Sequence, residues 1–447
     1  MLKIFYSISF PFFNLSDRSV HLKLKNKFNC SFFILALFLV FSCNTTEPPP
    51  NGDKPNLTLK LEDVSCIEAW IELTTNNLHL PATVTLMQDG ETRETLEVIT
   101  ADTLLYIDSL LPNTNYTFHT VIQSSNHTSN ELSVTTMDTT SHDFTFETFT
   151  FGGEAGSCTF YDVAIINENN IIAVGTVFLR DSLGQPDPQP YGVAIWDGQS
   201  WELKKIFHST NIPVTPRGIL VISPNEIYLA AGSIFRWDGV SSTVQKVFSR
   251  LSLPDPNGTI EKLWGSLSSS IYGVGNVGSI VFYNGSQWTR IESGTELNIG
   301  DIWGIADDNG GYNKYLAADN AMLKIDAVNN LSRIDAESGM IIISVWGISN
   351  KLIYTAGEGV VLYKNYKWEK INRPDVNTIY RIKGQNYNDI CGIGSPGSII
   401  HHFNGYSWGS INPDPSNRYW RIDIKGNIIS AAGYQGEKAA ITIIRKN

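Results

Sequence analysis

Apolar and polar residues alternate along most of this chain in short runs, and turn-forming residues bound each run. Near the start, Leu57, Leu59 and Leu61 alternate with polar neighbours, and similar runs recur up to residue 107. A period of two places successive side chains on opposite faces of a strand, so one face of each strand is expected to be buried. No long stretch has an apolar period of 3.6 residues. The sequence therefore predicts an all-β protein, and its 11 Trp, 18 Tyr and 21 Phe against 5 Met favour aromatic-packed sheets over helical bundles.

A longer repeat is superimposed on this alternation. Its clearest copy is LWGSLSSSIYGVGNVGSIVFYNGSQW at 263–288, and DIWGIA follows at 301–306. Further copies are SVWGISNKLIYTAGEGVVLYKNYKW at 344–368 and TIYRIKGQNYNDICGIGSPGSIIHHFNGYSW at 378–408. A period of about 35 to 45 residues is typical of circular arrays of small β-sheets. We distinguish seven such cycles between residues 143 and 447.

Two short motifs recur within the cycles. Most third strands end in an aromatic residue followed by a turn and a Trp, as in IWDGQSW, FYNGSQW, YKNYKW and HFNGYSW. Asn-Gly and Asp-Gly pairs supply the positive φ angles of a tight hairpin, so the Trp is expected to begin the outer strand. The second strands carry a small pair, which is expected to let sheets approach closely. These pairs are Val174-Gly175, Val274-Gly275, Ala356-Gly357 and Ala432-Gly433.

The last cycle lacks one strand. It has three predicted strands, at 420–424, 428–432 and 440–444, whereas the alternating run FTFETFTF at 144–151 has no partner of its own. Pairing that run with the last cycle would close the ring and remove two exposed edges. The prediction is a β-propeller over 143–447 with seven blades and an N-terminal closing strand, with six or eight blades as alternatives. The Trp-Gly and hairpin pattern resembles the propeller repeats of bacterial exported proteins of the kelch, YVTN and neuraminidase-repeat kind.

The region before the propeller, residues 55–137, has the length and alternation of a small β-sandwich. Its segment LPNTNYTF at 111–118 resembles the L-P-x-T-x-Y signature of fibronectin type III domains. The resemblance implies that Tyr116 forms a tyrosine corner and that Trp70 is the core tryptophan. Modules of that family serve mostly as spacers or adhesion units, so the resemblance implies no specific activity.

The N-terminal 42 residues have the pattern of a secretory signal. Lys23, Lys25 and Lys27 precede the apolar run FFILALFLVFS, and Cys43 follows it. The run is too short to span a bilayer as a helix. The residues VFSC at 40–43 resemble the bacterial lipobox, which implies lipid attachment at Cys43; an ordinary signal peptide with an incidental Cys is the alternative. Residues 43–54 are Pro-rich and polar, as expected of a tether between an anchor and a folded domain.

Charge and cysteine content exclude several classes of protein. The formal net charge is −11, and because residues 1–42 carry five Lys or Arg and one Asp (+4), the remainder carries −15. Such a chain repels phosphate backbones, so nucleic acid is not an expected partner. Beyond the leader, Cys66, Cys158 and Cys391 are widely spaced, which predicts free thiols rather than a metal site or a disulfide framework.

Catalytic motifs are absent, and no cofactor or metal is predicted. Ser141, His142 and Asp143 match a hydrolase triad in residue type, but adjacent residues cannot converge as nucleophile, base and orienting group. The loop that begins at Asp307 has oxygen ligands at calcium-like spacing, yet Ala318 stands where an EF-type loop needs Glu. A plain turn is the better interpretation. The insert at 180–190 is predicted to be a surface loop that extends the first blade.

Three arginines are the candidate ligand-binding residues. Arg217, Arg381 and Arg421 lie on or near innermost strands, which line the central channel of a propeller, and an arginine cluster could bind an anionic ligand. Sialidase catalysis also needs such a cluster, but the Asp-box S-x-D-x-G-x-T-W of that family is absent here. Structural roles for these arginines are the alternative.

These observations favour an exported, lipid-anchored protein of the bacterial envelope, at the outer membrane or cell surface. Its membrane association would be through the lipid alone. Its function is predicted to be non-enzymatic, with propeller loops that bind a protein or a glycan. The alternatives are a carbohydrate-active enzyme, either a glycosidase or a lyase, on the same face, and an assembly factor for other envelope proteins.

Overall fold

The structure is a computed structural model, and it describes residues 54–209, 211–307, 309–371, 379–394 and 399–447. The predicted signal peptide (1–42), Cys43 and all of the tether except residue 54 lie outside the described residues. The fold is almost entirely β. Within the described ranges, the one helical segment is the short 3-10 turn Arg250–Ser252, and no helix is long and apolar enough to cross a membrane.

Residues 56–135 form two antiparallel sheets packed face to face. The first sheet has three strands, in the order Asn56–Val64, Ala69–Asn76, Asp102–Ile107. The second has four strands, in the order Glu91–Val98, Ala82–Gln88, Asn115–Ile122, Leu132–Thr135. The core between the two sheets is built from the alternating apolar residues that the sequence singles out, including Leu57, Ile71 and Phe118. The hydroxyl of Tyr116 accepts a hydrogen bond of 2.9 Å from the backbone N–H of Leu111. We call this part the sandwich.

Residues 144–447 form seven antiparallel sheets of four strands, which we number I to VII. Sheet I contains Thr159–Asn167, Asn170–Val177, Tyr191–Trp196 and Trp201–Lys204. Sheet II contains Gly218–Ser223, Glu226–Ala231, Ser233–Trp237 and Gln245–Phe248. Sheet III contains Thr259–Leu267, Ser270–Asn276, Ile280–Tyr283 and Trp288–Arg290. Sheet IV contains Asp301–Ala306, Tyr312–Ala318, Ala321–Ile325 and Leu331–Asp335. Sheet V contains Ile342–Ser349, Leu352–Gly357, Val360–Lys364 and Lys367–Lys370. Sheet VI contains Ile379–Asn386, Asp389–Gly394, Ile399–Phe403 and Trp408–Ile411. Sheet VII contains Asn417–Lys425, Ile428–Gln435, Lys438–Lys446 and Phe144–Phe151.

A separate two-stranded ribbon, Phe207–His208 with Ile212–Pro213, lies between sheets I and II.

The first strands of the seven sheets neighbour one another in chain order, and the first strand of sheet VII lies beside that of sheet I. Sheet VII takes its fourth strand from the beginning of this region. Phe144–Phe151 pairs antiparallel with Lys438–Lys446, so that Phe149 lies opposite Ile441. Phe149 also packs against Trp196 and Trp201 of sheet I, with ring centroids 5.3 and 6.1 Å away. The added strand therefore completes sheet VII and contacts sheet I.

The ring has two faces, because consecutive antiparallel strands of each sheet end on opposite sides of the ring. One face carries the connections between sheets together with the turns between second and third strands; we call it the loop face. The other carries the hairpins between first and second strands and between third and fourth strands; we call it the hairpin face. The 180–190 insert joins the second and third strands of sheet I and so lies on the loop face.

The Trp-Gly motif packs one sheet against the next. A Cβ atom added to Gly304 of sheet IV would lie 2.0 Å from the Trp264 indole of sheet III, so only glycine leaves room for that ring. In the same way, Trp303 of sheet IV donates a hydrogen bond of 2.6 Å from its indole N–H to the carbonyl oxygen of Gly347 in sheet V. The repeated motif is thus explained by contacts between adjacent sheets.

The glycines of the second strands have a different role from the predicted one. A Cβ atom on Gly275 would lie 1.9 Å from the carbonyl oxygen of Thr259, and one on Gly433 would lie 1.8 Å from that of Arg418. Both carbonyls belong to the first strand of the same sheet, next to a β-bulge. The prediction that these glycines let neighbouring sheets approach was wrong. They accommodate a bulge within their own sheet, which shifts the register so that the residue after the bulge points into the ring.

The sandwich docks on the hairpin face of sheets V and VI. Trp70 is fully buried there, in one apolar cluster with Trp346 and Tyr387, and is not part of the sandwich core. The implied role of Trp70 as a core tryptophan was therefore wrong. Its neighbours Ala69 and Ile71 face the sandwich core, so strand alternation turns Trp70 outward.

Polar contacts reinforce this docking. The Lys364 ammonium of sheet V donates to the Tyr106 hydroxyl at 2.8 Å and lies 3.4 Å from the Glu68 carboxylate. In sheet VI, the hydroxyl of Tyr387 donates to the Asp63 carboxylate at 2.7 Å. Tyr106, Glu68 and Asp63 all belong to the sandwich. A docked surface with buried, paired polar groups fixes orientation more strictly than apolar contact alone.

Candidate ligand-binding site

Seven equivalent positions of the first strands surround the centre of the ring. Each of these residues pairs with a residue of the second strand that is directly followed by a glycine or an alanine. The seven residues are Asp162, Gly218, Lys262, Asp301, Ser344, Arg381 and Arg421. Six of them line a central cavity of about 170 Å³. Gly218 has no side chain, and a Cβ atom there would lie 2.4 Å from the carbonyl oxygen of Glu261.

Asp162 is fully paired within the ring. Its carboxylate accepts a hydrogen bond of 2.7 Å from the ammonium of Lys262 and one of 3.1 Å from the backbone N–H of Ile219. Lys262 reaches it from sheet III, past sheet II, where Gly218 contributes no side chain. The carboxylate is only 2% exposed, so this pairing offsets the desolvation of its charge.

Asp301 is satisfied in the same way. Its carboxylate accepts hydrogen bonds from the hydroxyl of Ser344 at 2.6 Å and from its neighbouring backbone N–H, that of Ile302, at 3.0 Å. Burial by itself would raise the pKa of Asp301, but the nearby Arg421 and Lys262 outweigh it and hold that pKa below its ordinary value. Asp301 therefore stays ionised inside the ring.

Neither arginine forms a hydrogen bond or a close ion pair with a carboxylate of the described residues. Arg421 reaches across the ring from sheet VII and donates to the backbone carbonyl oxygen of Gly300, at the start of sheet IV, at 2.9 Å. Arg381 donates only to the carbonyl oxygen of Tyr380, at 3.1 Å, and its buried Nε has no hydrogen-bond partner among the described residues. Burial, together with the charge of Arg421, lowers the pKa of Arg381 to about 9. The Arg381 guanidinium therefore remains charged at neutral pH, and it keeps an unused donor.

A second layer lies two residues further along the strands, towards the hairpin face. There the ammonium of Lys383 stands 3.7 Å from the ring centroid of Trp303, a cation–π contact. Burial lowers the pKa of Lys383. The carboxylate of Asp423 accepts a hydrogen bond of 2.8 Å from the backbone N–H of Ile165. With Trp264, this layer bounds the cavity on the side of the sandwich.

Arg217 lies outside the central cavity, although it directly precedes an innermost strand. Its side chain lines a separate groove of about 610 Å³ on the loop face, near sheets II and III. There it lies 3.8 Å from the Glu261 carboxylate and over the ring of Tyr161, and it is 58% exposed. The structure thus brings Arg381 and Arg421 together and separates Arg217 from them.

The groove around Arg217 combines apolar and cationic groups. Ile212 and Leu251 are 57% and 85% exposed at its rim, which is unusual for side chains of their size. Lys246 and Arg250 add positive charge. The 180–190 insert is folded on itself on the same face, with the Arg180 guanidinium donating to the carbonyl oxygen of Gly184 at 2.7 Å. It carries another exposed apolar residue at its tip, Leu183.

The other sequence candidates have structural roles. The Asp307 carboxylate accepts backbone N–H groups of Asn309 and Gly311, at 3.0 and 2.6 Å, as in an ordinary Asx turn. The ring of His142 lies 3.0 Å from that of His402, measured between their Nδ1 atoms, and the Ser141 hydroxyl accepts from the backbone N–H of Asp143 at 2.9 Å. Across the part of the chain that the structure describes, no group of three or more His, Cys, Asp or Glu residues is placed to hold a metal ion. Cys66, Cys158 and Cys391 are free and buried.

Most of the central residues were not predicted from the sequence. Arg381 and Arg421 were, but five others were not: Asp162, Lys262, Asp301, Lys383 and Asp423. The signal was present in the repeat, because the residue two positions before each Trp-Gly tryptophan occupies the ring position, as in Lys262-Leu-Trp and Asp301-Ile-Trp. That tryptophan is present in three cycles, so an alignment on it would have identified Lys262, Asp301 and Ser344. The other cycles have no tryptophan there, and their ring residues follow only from the strand register.

Solved structures with the same architecture are β-propellers. The structure described as YCF48 bound to D1 peptide superposes with a TM-score of 0.51 at 13% identity, over 69% of this chain and 97% of that one. The WD40 β-propeller domain of Doa1 superposes with a TM-score of 0.52 at 10% identity, over 68% and 98%. No protein-family model matches the sequence, and no curated protein matches it either. The likeness therefore shows the fold alone: the chain contains a β-propeller, as the repeat predicts.

Proposed function

We propose that this chain is a non-enzymatic binding protein of the bacterial envelope, in which the loop face of the propeller binds a segment of a protein partner. One observation carries the proposal. The sandwich covers the hairpin face of sheets V and VI, so the face left open is the loop face, where the groove around Arg217 lies. A fixed spacer on one face of a rigid ring directs the opposite face away from whatever holds the N-terminus.

The chemistry of the groove supports a peptide ligand. It joins exposed apolar side chains, Ile212 and Leu251, to three cations and one carboxylate, Glu261, in a protein whose formal net charge is −11. An extended segment with apolar residues and a carboxylate would complement both properties. The neighbour described as YCF48 bound to D1 peptide shows that a propeller can bind a peptide, which supports this mode without defining the ligand.

The finer architecture is part of the proposal. The cyclic order of the seven sheets and the strand added by residues 144–151 support a seven-bladed propeller closed at its N-terminus. The three-plus-four arrangement of the sandwich and the hydrogen bond to the Tyr116 hydroxyl support a fibronectin type III spacer. We propose that processing at Cys43 adds the lipid anchor and that residues 43–54 are the tether. Loss of palmitate labelling on Cys43→Ala would support the anchor, and equal labelling of that variant would refute it.

Affinity capture with the mature chain tests the function. Wild type, the double variant Arg217→Glu/Arg250→Glu and the control Lys425→Glu are each used to capture proteins from a bacterial envelope extract after mild cross-linking. Lys425 is exposed on the hairpin face. We expect one partner to be captured by wild type and the control and lost with the double variant. Equal capture by all three proteins would place binding elsewhere, and capture of glycan alone, or turnover of chromogenic glycosides, would overturn a protein-binding function.

A further inference from the structure

We propose that the central cavity of the ring binds a small oxyanion, a carboxylate or a phosphate-type group, between Arg381 and Arg421. This site is separate from the loop-face groove and does not depend on it. The inference rests on the donors and acceptors that the seven first strands bring together, taken with the volume they enclose.

The cavity is lined by more cationic than acidic side chains. Four cationic side chains line it, and three carboxylates oppose them: Asp162, Asp301 and Asp423. Each of these carboxylates already accepts from backbone N–H groups of the ring. The carboxylate acceptors are therefore occupied, and the cationic side chains exceed the carboxylates by one. A cavity with this balance favours binding of an anion over binding of a cation.

The guanidinium of Arg381 has an unused hydrogen-bond donor. Within the described part of the chain its buried Nε has no partner, and the one hydrogen bond of the guanidinium goes to a neighbouring backbone carbonyl. Leaving a charged donor unpaired in a buried place is costly, and proteins avoid it unless something else supplies the acceptor. Arg421 lies at the adjacent ring position and also lacks a carboxylate partner among the described residues. Both guanidiniums line the same cavity, and each presents a planar fork that suits the oxygens of a carboxylate or phosphate.

The cavity has room for a small ligand. Its volume of about 170 Å³ is well above the roughly 10–15 Å³ that one water molecule needs on the same measure, so acetate, sulfate or phosphate would fit. Trp264, Trp303 and Lys383 bound the cavity towards the hairpin face. Arg381 follows closely after the start of its strand, at the loop-face end of the ring, so entry would be from the loop face. The oxyanion could be free in solution or carried on a larger molecule.

Thermal unfolding of the mature chain with added anions tests the site. Acetate, sulfate and phosphate are titrated at low millimolar concentration against chloride at matched ionic strength, with wild type, Arg381→Gln and the control Arg290→Gln. Arg290 is an exposed arginine in the outer strand of sheet III and lines neither the cavity nor the groove. We expect a saturable rise in Tm of about 2 °C or more for wild type and the control with at least one oxyanion, and no rise for Arg381→Gln. A rise with acetate alone would assign a carboxylate, and a rise with sulfate or phosphate would assign a tetrahedral anion.

The outcomes against the proposal are equally definite. No rise in wild type, or the same rise in all three proteins, would overturn it, because general salt effects act on every variant alike. Should Arg381→Gln fail to fold, Arg381→Lys keeps the charge but loses the planar fork, and calorimetric titration should show the anion bound at least tenfold more weakly. Equal affinity in Arg381→Lys and wild type would refute the role of Arg381. The capture experiment on the groove is independent, so either site can fail alone.

Discussion

The indole of Trp70 and the phenol ring of Tyr387 stack with their centroids 6.1 Å apart and their planes 23° apart, joining the sandwich to sheet VI of the propeller. Tyr387 also donates its hydroxyl to Asp63 of the sandwich. Burial and the nearby Asp63 carboxylate raise the pKa of Tyr387, so this hydroxyl keeps its proton and its donor role over the physiological pH range. The pair couples the two parts of the molecule.

Trp70→Ala should lower the free energy of unfolding by about 3 to 5 kcal/mol, the usual cost of truncating a fully buried aromatic residue. It should also split the melting curve, because the sandwich loses its main apolar contact with the ring. Differential scanning calorimetry measures both effects. Tyr366→Ala is the control, since that side chain is 92% exposed, and it should change stability by less than about 0.5 kcal/mol. Equal effects of the two variants would show that Trp70 does not couple the sandwich to the ring.

Phe149→Ala tests the added strand of sheet VII. Phe149 is half-buried against Trp196 and Trp201 of sheet I, so its loss should cost about 2 to 3 kcal/mol and increase hydrogen exchange in Lys438–Lys446. Phe146→Ala in the same strand is the matched control. Phe146 is 45% exposed and should cost less than about 1 kcal/mol. Urea unfolding measures the loss of stability, and mass spectrometry measures the hydrogen exchange. Unchanged hydrogen exchange in Phe149→Ala would mean that the strand does not hold the ring closed.

Gly433→Ala tests the bulge that points Arg421 into the cavity. The new Cβ atom would lie 1.8 Å from the carbonyl oxygen of Arg418, so either the bulge or the pairing must shift. We expect a loss of about 3 kcal/mol in urea unfolding. Gly426→Asn is the control, because Gly426 has φ of +59° in open space and Asn tolerates that conformation. A cost for Gly433→Ala no larger than that of the control would contradict the proposed role of the glycine.

The pair His142 and His402 predicts a pH dependence of stability. Burial, with the neighbouring His402, lowers the pKa of His142 below its ordinary 6.5. As the pH falls, His142 therefore takes up a proton in the unfolded chain at a higher pH than it does in the folded chain. Stability should be full above about pH 6.5 and decline as the pH falls from there to the folded-state pKa. His142 faces His402, Asp389 binds the far side of His402, and Lys446 in turn pairs with Asp389.

Chemical unfolding at a series of pH values measures this effect. His142→Gln should flatten the decline below pH 6.5, whereas His79→Gln, at an exposed position of the sandwich, should leave it unchanged. A decline of the same slope in His142→Gln and wild type would assign the pH dependence to other groups.

Much of the fold was predictable because its signals are local and repeated. Strand alternation, the aromatic pairs around several hairpins and the Trp-Gly motif all depend on neighbours in the chain. Tyr283 and Trp288, for example, lie opposite each other on adjacent strands, and their rings stack with centroids 5.1 Å apart. The candidate site was only partly predictable. Arg381 and Arg421 were identified from their places on innermost strands, but Arg217, one residue before such a strand, points to the loop face instead.

Periodicity and strand count need no distant contact, so the amino-acid sequence alone predicts the all-β class, the propeller and the role of the strand at 144–151 as the complement of the last cycle. The burial site of Trp70, the face that the sandwich covers and the unpartnered donors of the ring became visible only in the folded chain. Those features depend on side chains that approach one another across hundreds of residues, as Trp70 and Tyr387 do, or across the ring, as Arg421 reaches Gly300. Repeats fix the register of each sheet, whereas only closure of the ring places six side chains of that register around one cavity.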